Sequence, residues 1–299
     1  MHKPKIIVIL GQTSTGKSDF AVEVAKQING EIISADSRQV YKGMNLGTGK
    51  ITKKEMFGIP HHLLDVTSPK KTFSVSDFQK IANKKIEEII NKGKTPIICG
   101  GTGFYIDAIV NGNVFPEVSP NKNLRKKLYQ LDAIALSRYL KKLDPERLKT
   151  IDKNNSVRLI RAIEIAEALG SVPKIKNIEN FNVLKIGLNL PPEILKKRIN
   201  TRLLNRIKKG MIKEIQNLHK SGVSWKRLNS FGLEYRYVAL FLQGKLIKNE
   251  MIEKLNTEIW HFAKRQKTWF RRDQNTIWID PRKNSEKNKA IIRVKKFLK

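Results

Sequence analysis

Lys5-Ile6-Ile7-Val8-Ile9-Leu10-Gly11-Gln12-Thr13-Ser14-Thr15-Gly16-Lys17-Ser18 is the stretch that decides the fold. Its first part is a short, unbroken, β-branched run, the pattern of a strand buried on both faces of a parallel sheet. From Gly11 the residues fit G-x-x-x-x-G-K-[ST]. After them Phe20, Ala21, Val24, Ala25 and Ile28 recur at helical spacing until Asn29-Gly30 closes the helix. Strand, glycine loop and helix in that order make a phosphate cradle. Backbone N–H groups line the turn, the helix N-terminus adds partial positive charge, Lys17 supplies a mobile cation and Ser18 offers a hydroxyl to Mg²⁺. The motif names a di- or triphosphate ligand and leaves the reaction open.

Outward from this unit, residues 31–36 and 95–101 read as further buried strands, with a helix from Val75 to Asn91 between them. Strands alternating with helices predict an α/β fold, a P-loop NTPase-like doubly wound parallel sheet. The character changes at residues 116–182, where Leu124, Leu128, Leu131, Ile134, Leu136, Leu140 and Leu143 fall at helix-like intervals and strand signals are few. This segment is expected to be an all-helical insertion domain. The core then spans residues 1–115 and resumes over 183–299, with a strand at 182–188, a helix from Pro191-Pro192 through Ile215, and a basic helix-like tail at 282–299.

Charge narrows the function. The 299 residues carry 59 Lys and Arg against 27 Asp and Glu, a formal net charge of +32. That argues against an enzyme of neutral small metabolites and for a polyanionic partner, of which nucleic acid is the commonest in cytosol. No apolar run approaches the roughly 18–20 residues of a membrane span, and the single Cys99 supports no disulfide framework. A cytoplasmic protein without membrane contact is the expectation.

Asp36 falls at the carboxyl end of the second strand, where open α/β sheets bind ligands. There it could coordinate Mg²⁺ or take a proton from an attacking nucleophile. Ser37-Arg38-Gln39-Val40-Tyr41 follows, polar and aromatic, suited to gripping a base. Gly100-Gly101-Thr102-Gly103-Phe104-Tyr105 would bring Thr102 and close-approaching backbone to the same edge. Arg198, Arg202 and Arg206 share one helical face, either a phosphate-facing stripe or a solvated one. His61-His62 reads as packing or hydrogen bonding rather than a metal site, because adjacent side chains point apart. Residues 264–272 interleave base and aromatic, either a phosphate-plus-stacking surface or an amphipathic helix with its rings in the core.

In order, these segments resemble the tRNA dimethylallyltransferase, or tRNA isopentenyltransferase, family. The resemblance is carried by the P-loop, by Ser34-Ala35-Asp36-Ser37-Arg38-Gln39-Val40-Tyr41-Lys42-Gly43-Met44, by Gly47-Thr48-Gly49-Lys50 and by Pro60-His61-His62-Leu63-Leu64-Asp65. It continues through Phe73-Ser74-Val75-Ser76-Asp77-Phe78, the Gly100 to Tyr105 run, Arg158-Leu159-Ile160-Arg161-Ala162-Ile163-Glu164 and Ala263-Lys264-Arg265-Gln266-Lys267-Thr268-Trp269-Phe270. The family usually has Pro where this chain has Gln12, a change expected to be tolerated.

The resemblance implies transfer of a dimethylallyl group from its diphosphate to N6 of the adenosine just 3′ of the anticodon, by a monomer using Mg²⁺. It implies that Asp36 accepts the N6 proton and that Gly11, Thr13, Ser14, Thr15, Gly16, Lys17 and Ser18 hold the donor diphosphate, Ser18 with the metal. Lys17, Arg202 and Thr102 join Asp36 as expected catalytic residues. The tRNA anticodon stem-loop would be met by Asp36, Ser37, Arg38, Gln39, Thr102, Arg125, Val157, Arg158, Leu159, Ile160 and Arg161. Lys264, Arg265 and Arg271 would take its phosphates. Two rivals stay open: a nucleotide kinase, which gives no reason for the charge, and a nucleic-acid-binding P-loop switch, which needs an acid on a hydrophobic strand not evident here.

Overall fold

Burial explains the first strand. In the computed structural model, which describes residues 3–299, Ile6, Ile7, Val8 and Ile9 of β1 (Lys5–Gly11) have no exposed surface. The chain continues through α1 (Lys17–Ile28), β2 (Gly30–Ala35), α2 (Lys53–Met56), β3 (His61–His62), α3 (Val75–Asn91), β4 (Thr95–Gly100) and α4 (Gly103–Val110). Then come β5 (Asn113–Val114), α5 (Lys122–Leu128), α6 (Ala133–Leu143), α7 (Pro145–Thr150), α8 (Ser156–Leu169) and β6 (Lys176–Asn177). The last part holds β7 (Asn182–Leu188), α9 (Pro192–Lys208), α10 (Met211–Lys220), α11 (Trp225–Phe231), α12 (Leu233–Leu242), α13 (Lys248–Phe270), β8 (Ile277–Ile279) and α14 (Asn284–Leu298).

Six strands pair in parallel in the order β3-β2-β4-β1-β7-β8. Side chains alternate across the sheet. Ile6, Val8 and Leu10 join Ile33 and Ile98 beneath α3 and α4, whereas Ile7 and Ile9 join Ile32, Ile97 and Ile186 beneath α1 and α14. A third apolar cluster gathers α9 to α13 around Met211, Ile215, Tyr235 and Leu255, with Tyr41 and Met44 from the segment after β2. The sheet therefore aligns its carboxyl edge, where the P-loop and Asp36 both emerge.

The structure refines four expectations. The helix foreseen from Pro191-Pro192 through Ile215 breaks at Gly210, whose φ of +100° is left-handed, so α9 and α10 are separate. The insertion is not purely helical, since β5 and β6 form a short antiparallel pair. The chain divides into one unit of residues 1–111 and 179–299 and another of residues 112–178, whereas 116–182 was expected for the second. The basic tail is in part core: Ala290, Ile291 and Val294 of α14 are buried against the sheet.

Within the second unit, Leu128, Leu136, Leu140, Leu159, Ile160 and Ile163 pack together, and one carboxylate sits among them. The side chain of Glu164 is fully buried; it accepts from Arg125 Nε and Nη2 at 2.7 Å each, from Asn121 N at 2.9 Å and from Arg161 Nη1 at 3.3 Å. Burial alone would raise its pKa. The Arg125 and Asn121 hydrogen bonds outweigh burial and hold it below the ordinary carboxylate value. A carboxylate with a depressed folded pKa contributes stability that is present above its unfolded pKa and lost as pH falls through the folded one. Arg125→Ala is expected to destabilise this unit by about 2–3 kcal/mol, below the full cost of a broken buried pair because Arg125 is partly exposed. Hydrogen exchange across residues 112–178 should show the gap between wild type and variant widest near neutral pH and narrowing as pH falls through the carboxylate range, because Glu164 in the variant has lost the interaction that depresses its pKa.

Candidate functional site

Between β1 and α1 the backbone is left-handed at Gly16 (φ +93°) and at Ser14 (φ +63°). Gly16 caps α1 with no side-chain hydrogen bond, so the first amides of the helix stay open to an anion. Gly11 must lack a side chain for a different reason: a Cβ there would lie 2.5 Å from the Leu188 carbonyl oxygen. The loop braces itself from within. Gln12 O accepts both Thr15 Oγ1 at 2.8 Å and Lys17 Nζ at 2.7 Å. Burial lowers the Lys17 pKa to about 8, against the opposing pull of Cys99 and Asp36 and with the push of Arg202.

Thr13 departs from its expected role in one respect. Its amide already donates to Gln266 Oε1 at 2.8 Å, so that N–H is committed to α13 and not to a phosphate. Ser14 and Ser18 remain open on the cleft wall.

Asp36 stands just past β2. Its Oδ1 accepts Arg38 N at 2.8 Å and Gln39 N at 3.2 Å, an Asx turn that fixes the carboxylate, and its Oδ2 takes no hydrogen bond from the described residues. Thr102, expected beside the substrate, lies behind this turn: its Oγ1 accepts Ser37 N at 3.0 Å. Arg38 is likewise tied down, with Nε donating to Phe231 O at 2.8 Å. Gln39 accepts Ser34 Oγ at 3.1 Å and faces the cleft with its other atoms.

The arginines of α9 divide their work. Arg206 donates to Gly47 O at 3.0 Å and pairs with Glu234 at 2.7 Å, so it holds structure. Arg202 reaches Gly49 O at 3.3 Å; desolvation and the neighbouring Arg206 lower its pKa, yet a guanidinium stays charged at neutral pH. Arg198, whose stripe with Arg202 and Arg206 reads from sequence as facing either phosphate or solvent, has no hydrogen bond among the described residues, and its Nη1 lies 3.9 Å from where Gly16 would carry a Cβ. Its spacing from Arg202 was visible, but which face of α9 turned inward was not. The loop these arginines cover is fixed from below by Glu214, which accepts the amides of Asn45, Leu46 and Gly47 and the Tyr235 hydroxyl.

Together these groups line one cleft of about 820 Å³, with Lys17, Asp36, Arg198 and Arg202 on its polar walls and Ile32, Ile51 and Leu64 among its apolar ones. It can hold a diphosphate beside an apolar group and present both to a carboxylate. A cavity of about 870 Å³ at the amino edge of the sheet is a poorer candidate: its Lys3, Lys5 and Lys185 are engaged by Glu179, Leu298 O and Asp273. His61 and His62 bond to Ile59 O and to Glu31 at 2.8 and 2.7 Å. Among the described residues no three His, Cys, Asp or Glu gather as a metal cage. Mg²⁺ needs no such cage when phosphate oxygens and water supply most of its shell, and the exposed Ser18 hydroxyl beside the nest fits that use.

The remaining expected contacts separate by burial. Val157 and Arg158 are exposed on α8, whereas Leu159 and Ile160 lie in the core of the second unit and are removed from any RNA-facing surface. Arg125 is bound to Glu164, and Arg161 donates to Val118 O at 2.7 Å. On α13 Lys264 and Arg265 are exposed, as is Arg271 just beyond it, but Phe270 is buried and the Trp269 indole N–H donates to Asp107 at 2.9 Å. Within residues 264–272 the rings are turned toward the protein, so this stretch offers charge and not stacking. Gln266 has no role legible in the sequence; only the fold shows that it touches the cleft.

Residues 39–273 match the family model described as IPP transferase. The chain is 46% identical over 285 residues to a tRNA dimethylallyltransferase of Treponema denticola, covering 93% of this chain and 95% of the relative. It is 43% identical over 267 residues to one from Geotalea uraniireducens, covering 89% and 88%. The solved full-length tRNA isopentenylpyrophosphate transferase of Bacillus halodurans superposes with a TM-score of 0.76 at 35% identity, over 99% of this chain and 97% of that one. A eukaryotic dimethylallyltransferase solved acting on tRNA gives 0.75 at 28% identity, over 89% and 69%.

Lys17 offers a direct check of the cleft's charge. Its ammonium is protonated below about pH 8 and neutral above, so inorganic diphosphate should bind more weakly as pH rises through that value. Titration calorimetry on Lys17→Arg, whose side chain stays charged, should show no such step beyond the ligand's own ionisation.

Proposed function

The chain belongs to the IPP transferase family, and from that premise we propose how its own residues carry out transfer of a dimethylallyl group from dimethylallyl diphosphate to N6 of the adenosine just 3′ of the anticodon in tRNA. One observation supports the assignment of roles above the others: a single cleft joins the open P-loop amides, Lys17 and two arginines to a carboxylate whose second oxygen is uncommitted.

The donor's diphosphate lies against Ser14, Gly16, Lys17 and Ser18, with Arg198 and Arg202 over it. Mg²⁺, held by Ser18 and the diphosphate, would supply further neutralisation of the leaving charge. The N6 lone pair is delocalised into the purine, so orientation and proton removal matter more than basicity. As the bond from N6 to the allylic carbon forms, the bond from that carbon to the diphosphate oxygen breaks. The proton leaves N6 for Asp36 Oδ2, and diphosphate departs with its electron pair. Negative charge grows on the leaving group as this happens, so Lys17 and the arginines act more strongly on the transition state than on the bound donor. Thr102 contributes by holding Ser37 and hence the Asp36 turn.

The acceptor must leave its stack, at a cost of a few kcal/mol that is smallest in a loop. The charge of +32 supports a polyanionic substrate of this kind. Lys264, Arg265 and Arg271 on the first unit, and Arg158 and Val157 on the second, are the exposed residues left to meet tRNA. The same reading has the enzyme acting as a monomer in the cytoplasm; among the described residues no helix is long and apolar enough to cross a membrane.

Incubation with Mg²⁺, unfractionated tRNA and labelled dimethylallyl diphosphate, with labelled ATP in parallel, should leave prenyl label on adenosine after digestion. Phosphate moving from ATP to a small acceptor, with no prenyl transfer, would overturn the reading in favour of a kinase. Asp36→Asn keeps the oxygen that caps Arg38 and Gln39 but loses the proton acceptor. It should lower kcat by about 100-fold or more with tRNA affinity within about threefold; wild-type turnover would remove Asp36 from the chemical step.

A further inference from the structure

Helix α13 touches the site's loops along one face, at positions 263, 266 and 269, each one turn from the last. Ala263 O accepts Gln12 Nε2 at 3.0 Å, from the P-loop. Trp269 packs its ring against Gly103, in the loop and helix start after β4, where a Cβ would overlap it. Gln266, between them, holds both loops: its Oε1 accepts Thr13 N at 2.8 Å and its Nε2 donates to Gly101 O at 2.8 Å. Its side chain is almost wholly buried, 6% exposed, so each of these hydrogen bonds works away from water.

The two loops carry opposite halves of the reaction. Thr13 belongs to the turn that holds the donor's diphosphate. Gly101 precedes Thr102, whose hydroxyl takes the Ser37 amide, and Ser37 follows Asp36. One amide side chain therefore connects, through hydrogen bonds alternating with single backbone links, the loop that holds the leaving diphosphate and the turn that carries the proton acceptor.

We propose that Gln266 is a positioning residue that sets the separation between donor and acceptor, a role that rests on the reaction assigned above. Bond formation requires N6 and the allylic carbon to approach to roughly 3–3.5 Å, and an error of about 1 Å costs on the order of 100-fold in rate. Gln266 borders the cleft but acts through the two loops it holds, not through contact with either substrate. Its loss leaves each half-site intact and misplaces one against the other. The signature is a fall in kcat with little change in either affinity. A residue that merely stabilised the fold would lower the melting temperature, and one that bound phosphate would raise the donor KM.

The test uses Gln266→Met, which keeps length and volume while removing both hydrogen bonds, with Gln266→Ala as a second variant. Single-turnover transfer at saturating tRNA and dimethylallyl diphosphate should slow by about 30–100-fold. The donor KM and the tRNA Kd should stay within about threefold, with thermal melting close to wild type. Wild-type rates in both variants would overturn the proposal, as would a loss that appears in donor KM or tRNA Kd, or one matched by a collapse in melting temperature. A wild-type enzyme that transfers no prenyl group overturns the assigned reaction and this role together, whereas an active wild type with unaffected variants overturns this role alone.

Discussion

The position of every group in the cleft is referred to the few residues of backbone between Gly11 and Gly16. That backbone can turn as it does because β1 is buried on both faces and ends against β7, with no room for a Cβ at Gly11. A strand so enclosed cannot slide, since a one-residue slip would exchange the layers on its two faces. The phosphate cradle thus inherits the rigidity of the sheet. Left-handed conformation at Ser14, uncommon for a residue with a side chain, is tolerated where this surrounding framework over-determines it.

Around this fixed turn the protein gathers far more positive charge than isolated side chains would tolerate at close quarters, and the acidic residues are placed to make that possible. Glu234 pairs with Arg206, and Glu214 binds the amides of the loop that Arg202 and Arg206 cover from the other side. Glu234 offsets Arg206 alone by an ion pair, and Glu214 is committed to backbone amides and the Tyr235 hydroxyl. They fix the carriers of positive charge and leave Arg198, Arg202 and Lys17 directed to a ligand. The depressed pKa of Lys17 records the same economy, because a desolvated cation interacts strongly with the diphosphate that restores its environment.

Helix α13 shows how a surface feature becomes a site feature. Its exposed Lys264 and Arg265 suggest a phosphate-binding surface, and its buried Ala263 and Gln266 grip the P-loop from the opposite side. Gln12 belongs to this grip. Its backbone carbonyl holds Lys17, and its amide side chain adds a tie to the α13 backbone.

The resemblance of its motifs pointed to the reaction's family, and the sequence by itself determined the parallel α/β core, the phosphate cradle and Asp36 at the strand edge. These rest on local order: a β-branched run, a glycine turn and a helical period act over a few residues and are visible in any window that holds them. It did not determine β3 and β8, which are two and three residues long and exist through pairing with β2 and β7. Nor did it determine which arginine of α9 points into the cleft, that Arg125 would serve Glu164, that Leu159 and Ile160 face a core, or that Gln266 bridges two loops. Gln266 lies 253 positions from Thr13 and 165 from Gly101, and hydrogen bonds over such separations leave no period or spacing to read. Tertiary structure decided them because burial and partner geometry, not residue type, choose which polar group is committed to the fold and which is left for the substrate.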